Sequence, residues 1–214
     1  MTEPFQPKDC NLSLISMGKT AENLVEMRDQ FQKIPTSSIY YHFWGGRLRL
    51  SFVHPEYHND FAHWAHFALH DEILTERLAI VDPTEYPEVE ELRKKVLEII
   101  EARIGEVDST IWCHTEWKFH FLRSIIIVSN MGAPVNNPPE LKGVLPRLTH
   151  TSVFYHFIDA RRRTPNRIDD FSTWLSTFGS DYEDLSKKIQ LIDPYFLSLS
   201  EIREKLVELL IENL

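Results

Sequence analysis

Two cysteines in 214 residues are too few for a disulfide framework. Cys10 and Cys113 are therefore expected as free thiols in a reducing cytoplasm. Basic residues are also short: 23 Lys and Arg stand against 32 Asp and Glu, for a formal charge of -9. That deficit argues against general nucleic-acid binding, which needs surplus cations to neutralise phosphates, and against broad adhesion to anionic membranes. No apolar run is long enough to span a bilayer. The opening MTEPFQPKD has neither the basic nor the apolar region of a signal peptide. Catalytic signatures are missing as well: GxSxG, Walker A, GxGxxG, CxxC and HExxH do not occur. Cys113 and His114 are neighbours, but adjacency in sequence does not make a nucleophile–base contact.

Apolar material, by contrast, is ample. Hydrophobic residues make up 43% of the chain and include 13 Phe and 5 Trp, enough to bury a substantial core. Much of it is written twice. Ser38-Ile39-Tyr40-Tyr41-His42-Phe43 returns as Ser152-Val153-Phe154-Tyr155-His156-Phe157. Asp60-Phe61 with Trp64 returns as Asp170-Phe171 with Trp174, Asp82-Pro83 as Asp193-Pro194, and Leu92-Arg93 as Ile202-Arg203. The landmarks keep their order at offsets of 114, 110, 111 and 110 residues. Such a register implies a tandem repeat, with copy one at about 12–104, a linker at about 105–118 and copy two at about 119–213.

The periodicities imply a mostly α-helical α+β fold, with four or five helices per copy. Leu24, Met27, Phe31 and Ile34 keep helical spacing until Pro35 stops them. Thr20 is the candidate cap of that helix, and Thr36, Ser37 and Ser38 are candidate caps of the next, which Gly45-Gly46 should kink or end early. Asn59-Asp60 and Asp71 cap further helices, and Glu88 to Ile104 forms a long one stopped by Gly105. Phe119 to Val128 is the best strand, and Leu12 to Ile15 a short second one. Pro146 should distort the helix carrying Leu141, Leu145 and Leu148. A pseudo-twofold arrangement would pair the two strands in a small central β element and make one fused domain of residues 1–214.

Three groups of residues could carry chemistry. The duplicated set is Tyr41, His42, Arg47, Asp60, Trp64, Asp82 and Arg93, matched by Tyr155, His156, Arg161, Asp170, Trp174, Asp193 and Arg203. Tyr, His and Arg together suit an anionic or polyhydroxyl ligand. The structural alternative makes Asp60 and Asp170 helix caps, the two Trp core, His42 half buried with one nitrogen satisfied, and Asp82 a partner for Arg93. The second group is His63, His66 and His70, with His54 and His58 before them. One helix puts the three on one face, a zinc, nickel or copper arrangement if metal is bound. That face lies opposite Phe61 and Trp64, and copy two has Thr173, Ser176 and Ser180 there, so a solvated surface is the expectation and no metal is favoured. The third is Arg161-Arg162-Arg163 with Arg167, read as helix-end cations or as a spot for phosphate, an acidic partner or a nucleic-acid end.

The strings Ser-Ile-Tyr-Tyr-His-Phe, Asn-Asp-Phe-Ala-x-Trp, Ile/Val-Asp-Pro and Leu-Arg together resemble an uncharacterised bacterial and archaeal family classed as a domain of unknown function. The resemblance runs from about Leu12 to Leu210. It implies no substrate, cofactor or catalytic residue. Copy two departs from the pattern of copy one with Asp169 in place of Asn59. The expectation is a non-catalytic cytoplasmic module, without cofactor, that binds a small anionic ligand or a protein partner, with a homo-oligomer left open. The alternative is an enzyme, metal-assisted or not, that uses the Tyr/His/Arg set or the His face.

Overall fold

The computed structural model describes residues 3–48, 56–106, 115 and 117–214. Leu50, His54, Pro55 and the Cys113-His114 pair lie outside the described residues. Among the described residues, eleven α-helices and two strands give an α+β protein. The strands β1 (Lys8–Ala21) and β2 (Phe119–Asn130) form one two-stranded sheet. Met131 N–H bonds the Pro7 carbonyl at one end and Thr115 N–H the Glu22 carbonyl at the other, so the pair is antiparallel. By contact density the chain divides into two units, Leu12–Ile125, and Met1–Asn11 with Ile126–Leu214.

The 12–125 unit carries α1 (Leu24–Phe31), α2 (Thr36–Trp44), α3 (Asp60–Phe67), α4 (Glu72–Ala79) and α5 (Val89–Glu106). Asn23 caps α1 by accepting from Glu26 N–H, a role expected of Thr20. The strand runs on to Ala21 and so takes Thr20 into the sheet. Pro35 occupies the N-cap of α2, which places Ser38 inside the first turn, buried, instead of at the cap. The helix ends at Trp44 and continues as a 3-10 turn over Gly45–Leu48. A Cβ on Gly45 would run into the Tyr41 ring, so glycine here permits a close approach as the helix tightens. Gly105 does not stop α5, which includes it. Phe31, Phe43, Phe61 and Phe121 are fully buried in this unit's core.

The other unit carries α6 (Leu141–Val144), α7 (His150–Val153), a π-helical stretch (Phe154–Asp159), α8 (Ala160–Arg163), α9 (Asp170–Leu175), α10 (Glu183–Gln190) and α11 (Leu199–Asn213). Pro146 does shorten its helix: α6 gives way to a 3-10 turn at Leu145–Arg147. Thr149 caps α7 by accepting from Ser152 N–H. Ser198 and Glu201 form a reciprocal capping box at the start of α11. The amino-terminal residues belong to this core: Phe5 is buried and packs on Phe171 and Trp174, and it bridges Val135.

Candidate functional site

A two-stranded sheet leaves each strand with one edge that no strand covers, and its N–H and C=O groups need other partners. In the 12–125 unit the partner is α2. Ser38 and His42 are one turn apart and share a face. Ser38 Oγ donates to the Leu122 carbonyl at 2.6 Å, and Leu122 N–H donates to His42 Nε2 at 3.1 Å. One serine and one histidine thus take both main-chain groups of a single β2 residue. In the other unit Ser152 Oγ donates to the Lys8 carbonyl at 2.7 Å, and Lys8 N–H donates to His156 Nε2 at 2.8 Å.

The second nitrogen of each ring is also engaged. His42 Nδ1 lies 2.8 Å from Asp60 Oδ2, and His156 Nδ1 lies 2.8 Å from Asp170 Oδ2. A backbone N–H can only donate, so Nε2 must be the bare nitrogen and Nδ1 the protonated one. Each carboxylate therefore accepts from its imidazole and fixes the tautomer that accepts from the strand. The two histidines are 3% and 2% exposed, in contrast to the half burial and single satisfied nitrogen expected of His42. They sit among aromatic rings: His42 beside Phe61 and Phe119, and His156 beside Phe5 and Phe171.

The aspartates can do this because they are not the caps expected of them. Asn59 and Asp169 are the caps, accepting from Ala62 N–H and Ser172 N–H. Asp60 and Asp170 follow as the first helical residues and point to the imidazoles. The tryptophans extend the same scheme. Trp64 Nε1 donates to the Trp117 carbonyl and Trp174 Nε1 to the Glu3 carbonyl, and each Trp is 7% exposed.

Arg93 does not pair with Asp82. Its guanidinium donates to the Phe31 and Ile34 carbonyls and meets Glu90, tying α5 to the end of α1. Arg203 donates likewise to the Leu148 carbonyl. Asp82 caps its own turn through Thr84 N–H, and Asp193 does so through Tyr195 and Phe196 N–H.

The remaining candidates divide. Tyr41 and Tyr155 are buried with their histidines, while Arg47 lies over the Trp44 ring. Arg161 donates to the Phe157 carbonyl and lies 4.8 Å over the Phe157 ring. Burial pushes this guanidinium below its ordinary range, against the opposing pull of Asp169 and Asp193. Two members of the Arg run are paired: Arg162 and Arg163 meet buried Asp159, and Arg163 also reaches Asp170 and the Tyr155 carbonyl. His63 and His70 are exposed and His66 is half-buried. His63 and His66 contact Phe67, and His66 also contacts Tyr57. Among the described residues no group of three or more His, Cys, Asp or Glu is placed to hold a metal ion. Cys10 is buried with its thiol donating to the Thr151 carbonyl, and burial together with Asp9 pushes it up to about 12, far from a nucleophile at neutral pH.

Ser38 and Ser152 hold the strands through their hydroxyls, a role that neither the repeat nor the candidate cap at Ser38 announces. Their four-residue spacing from His42 and His156 was the available signal, since it puts hydroxyl and imidazole on one helical face.

These features define a class, an α+β protein whose helices hold strand edges through Ser/His side chains backed by aspartate. The chain matches the Family of unknown function (DUF5752) over residues 2–211 and belongs to that family. It is similar to the solved structure of OrfY from Thermoproteus tenax, at a TM-score of 0.83 and 26% identity over 99% of this chain and 95% of that one. No curated protein matches it. Neither likeness brings a specific activity. Among the described residues no helix is long and apolar enough to cross a membrane.

Proposed function

We propose that this chain is a non-catalytic, cytoplasmic binding module, built from a duplicated unit, whose partner is another protein. The observation that carries the reading is the double engagement of His42 and His156. An imidazole that accepts from a strand N–H and donates to a carboxylate has no nitrogen left to move a proton for a substrate. The matched bonds to Leu122 and Lys8 support duplication, and the pseudo-twofold arrangement belongs to the same proposal. Contact with a partner would fall to apolar side chains such as Ile80 and Leu191. They occupy equivalent positions just after α4 and α10 and are 77% and 84% exposed. A small anionic ligand is the second reading, favoured by Arg161, whose Nη2 is buried without an acceptor.

Affinity capture with wild type and with the Ile80→Asp and Leu191→Asp variants tests the proposal. One partner held in fixed ratio by wild type and released by either variant is expected. Turnover of a small substrate that His156→Ala abolishes without loss of fold would overturn it.

A further inference from the structure

Asn59 and Asp169 do the same work in the two units, yet one is an amide and the other a carboxyl. Both are buried, Asp169 completely. Both cap a helix through Oδ1, at 2.8 Å to Ala62 N–H and 2.7 Å to Ser172 N–H. The difference lies at the second atom. Asn59 Nδ2 donates to the Leu78 carbonyl at 3.0 Å, joining the start of α3 to the end of α4. The equivalent of Leu78 on α10 is Ile189, also buried. Their carbonyls match further: Leu78 accepts from Val81 N–H and Ile189 from Ile192 N–H. Asp169 Oδ2 is buried and meets no donor. An ionised carboxylate can only accept, so it cannot copy the amide, whereas a carboxylic acid can.

We propose that Asp169 is held as a neutral carboxylic acid, its Oδ2–H donating to the Ile189 carbonyl as Asn59 Nδ2 donates to that of Leu78. The charges around it leave the acid unpaired. Arg161 on α8 is the cation whose field reaches it, but Arg161 bonds the Phe157 carbonyl and its Nη2 is buried with no acceptor. Two orphaned atoms of opposite charge would have met if this were an ion pair. Asp193 faces Arg161 as well. On α9 itself Asp170 is taken by His156 and Arg163. On α10 Lys187 pairs with Glu183, Lys188 bonds Asn213, and Asp184 is exposed. Burial raises the carboxyl above its ordinary range, ahead of the opposing Ser172 bonds and Arg161.

The consequence is an alkaline-sensitive junction. The folded state keeps a proton that the unfolded chain releases, so stability falls as pH rises above the ordinary carboxylate range, until the folded group ionises. Ionisation would set an anion against a carbonyl oxygen at the joint of α9 and α10. Asp170, the next residue, holds His156, so a loosened cap would also disturb the imidazole.

The test is Asp169→Asn, which restores the amide, read by thermal melting across a pH series. The variant should equal wild type at or below the ordinary carboxylate range, about pH 4, and exceed it by about 2–4 °C or more at neutral and mildly alkaline pH. A variant less stable than wild type at every pH would overturn the proposal, since it would mark Asp169 as a charged partner of Arg161. Carboxyl carbon NMR of selectively labelled wild type reads the group directly. A protonated Asp169 signal at neutral pH is expected, and an ionised one would sink the idea.

Discussion

Replacing His156 with alanine removes the imidazole that joins β1 to α9. Three losses follow from the geometry. Lys8 N–H, part-buried, loses its acceptor at 2.8 Å, and stranding such a donor costs about 1–3 kcal/mol. A ring packed 4.8 Å from Phe5 and 5.6 Å from Phe171 leaves a cavity, which adds about 1–3 kcal/mol. Asp170 loses one partner but keeps Arg163 at 3.0 Å, so it is not left as a bare charge. The sum is about 3–5 kcal/mol, because neither loss is expected at its maximum. With a urea dependence of about 3 kcal/mol per molar for a chain of this size, the midpoint should drop by about 1–1.7 M. Urea unfolding followed by far-UV circular dichroism, in wild type and variant, measures it. A midpoint equal to wild type would refute the reasoning, since it would mean that neither the strand bond nor the ring packing contributes.

Ser152→Ala and Ser38→Ala each remove only the hydroxyl that reaches the strand carbonyl and should each cost about 1 kcal/mol in the same assay. Trp64→Ala and Trp174→Ala should each cost about 3–5 kcal/mol, and unchanged midpoints would mean those rings do not pack as described. In a Cys113→Ser background Cys10 should resist alkylation until denaturant is added. Its folded thiol titrates above the unfolded one, so the stability it lends declines as pH climbs from the ordinary thiol value of 9.0 towards about 12, checked by melting in alkaline buffers. Protein purified without a metal column should carry no stoichiometric metal by mass spectrometry; a metal lost on changing His63 and His66 to alanine would contradict the solvated-face reading.

Local signals carried part of this structure. The β-branched run from Phe119, the Asp71 cap and the Pro146 break were legible because each rests on neighbours in sequence. The reach of β1 was not. Residues 8–21 intersperse their apolar side chains with Ser, Asn, Lys and Gly in no strict alternation, and the ladder to β2 makes them a strand. Nothing local marks Phe5 as core, because its partners, Phe171 and Trp174, lie far along the chain. The histidines were singled out from their duplication, but their role was half read. Backbone donors carry no sequence signature, so nothing marked Leu122 or Lys8 as the group each Nε2 would meet. The caps of α3 and α9 fall on the first residue of Asn59-Asp60 and of Asp169-Asp170, a choice sequence leaves open because adjacent capping types cannot be ranked without the helix start. That open choice hid the Asp–His pairs.

Nitrogen-15 NMR of the imidazole rings tests the central claim most directly. His42 and His156 should both appear as the Nδ1–H tautomer, with a bare Nε2 hydrogen-bonded to a backbone amide, and added phosphorylated metabolites should leave them unchanged. An Nε2–H tautomer, or a ring whose signals move when such a ligand binds, would contradict a structural imidazole and return both histidines to a binding or catalytic role.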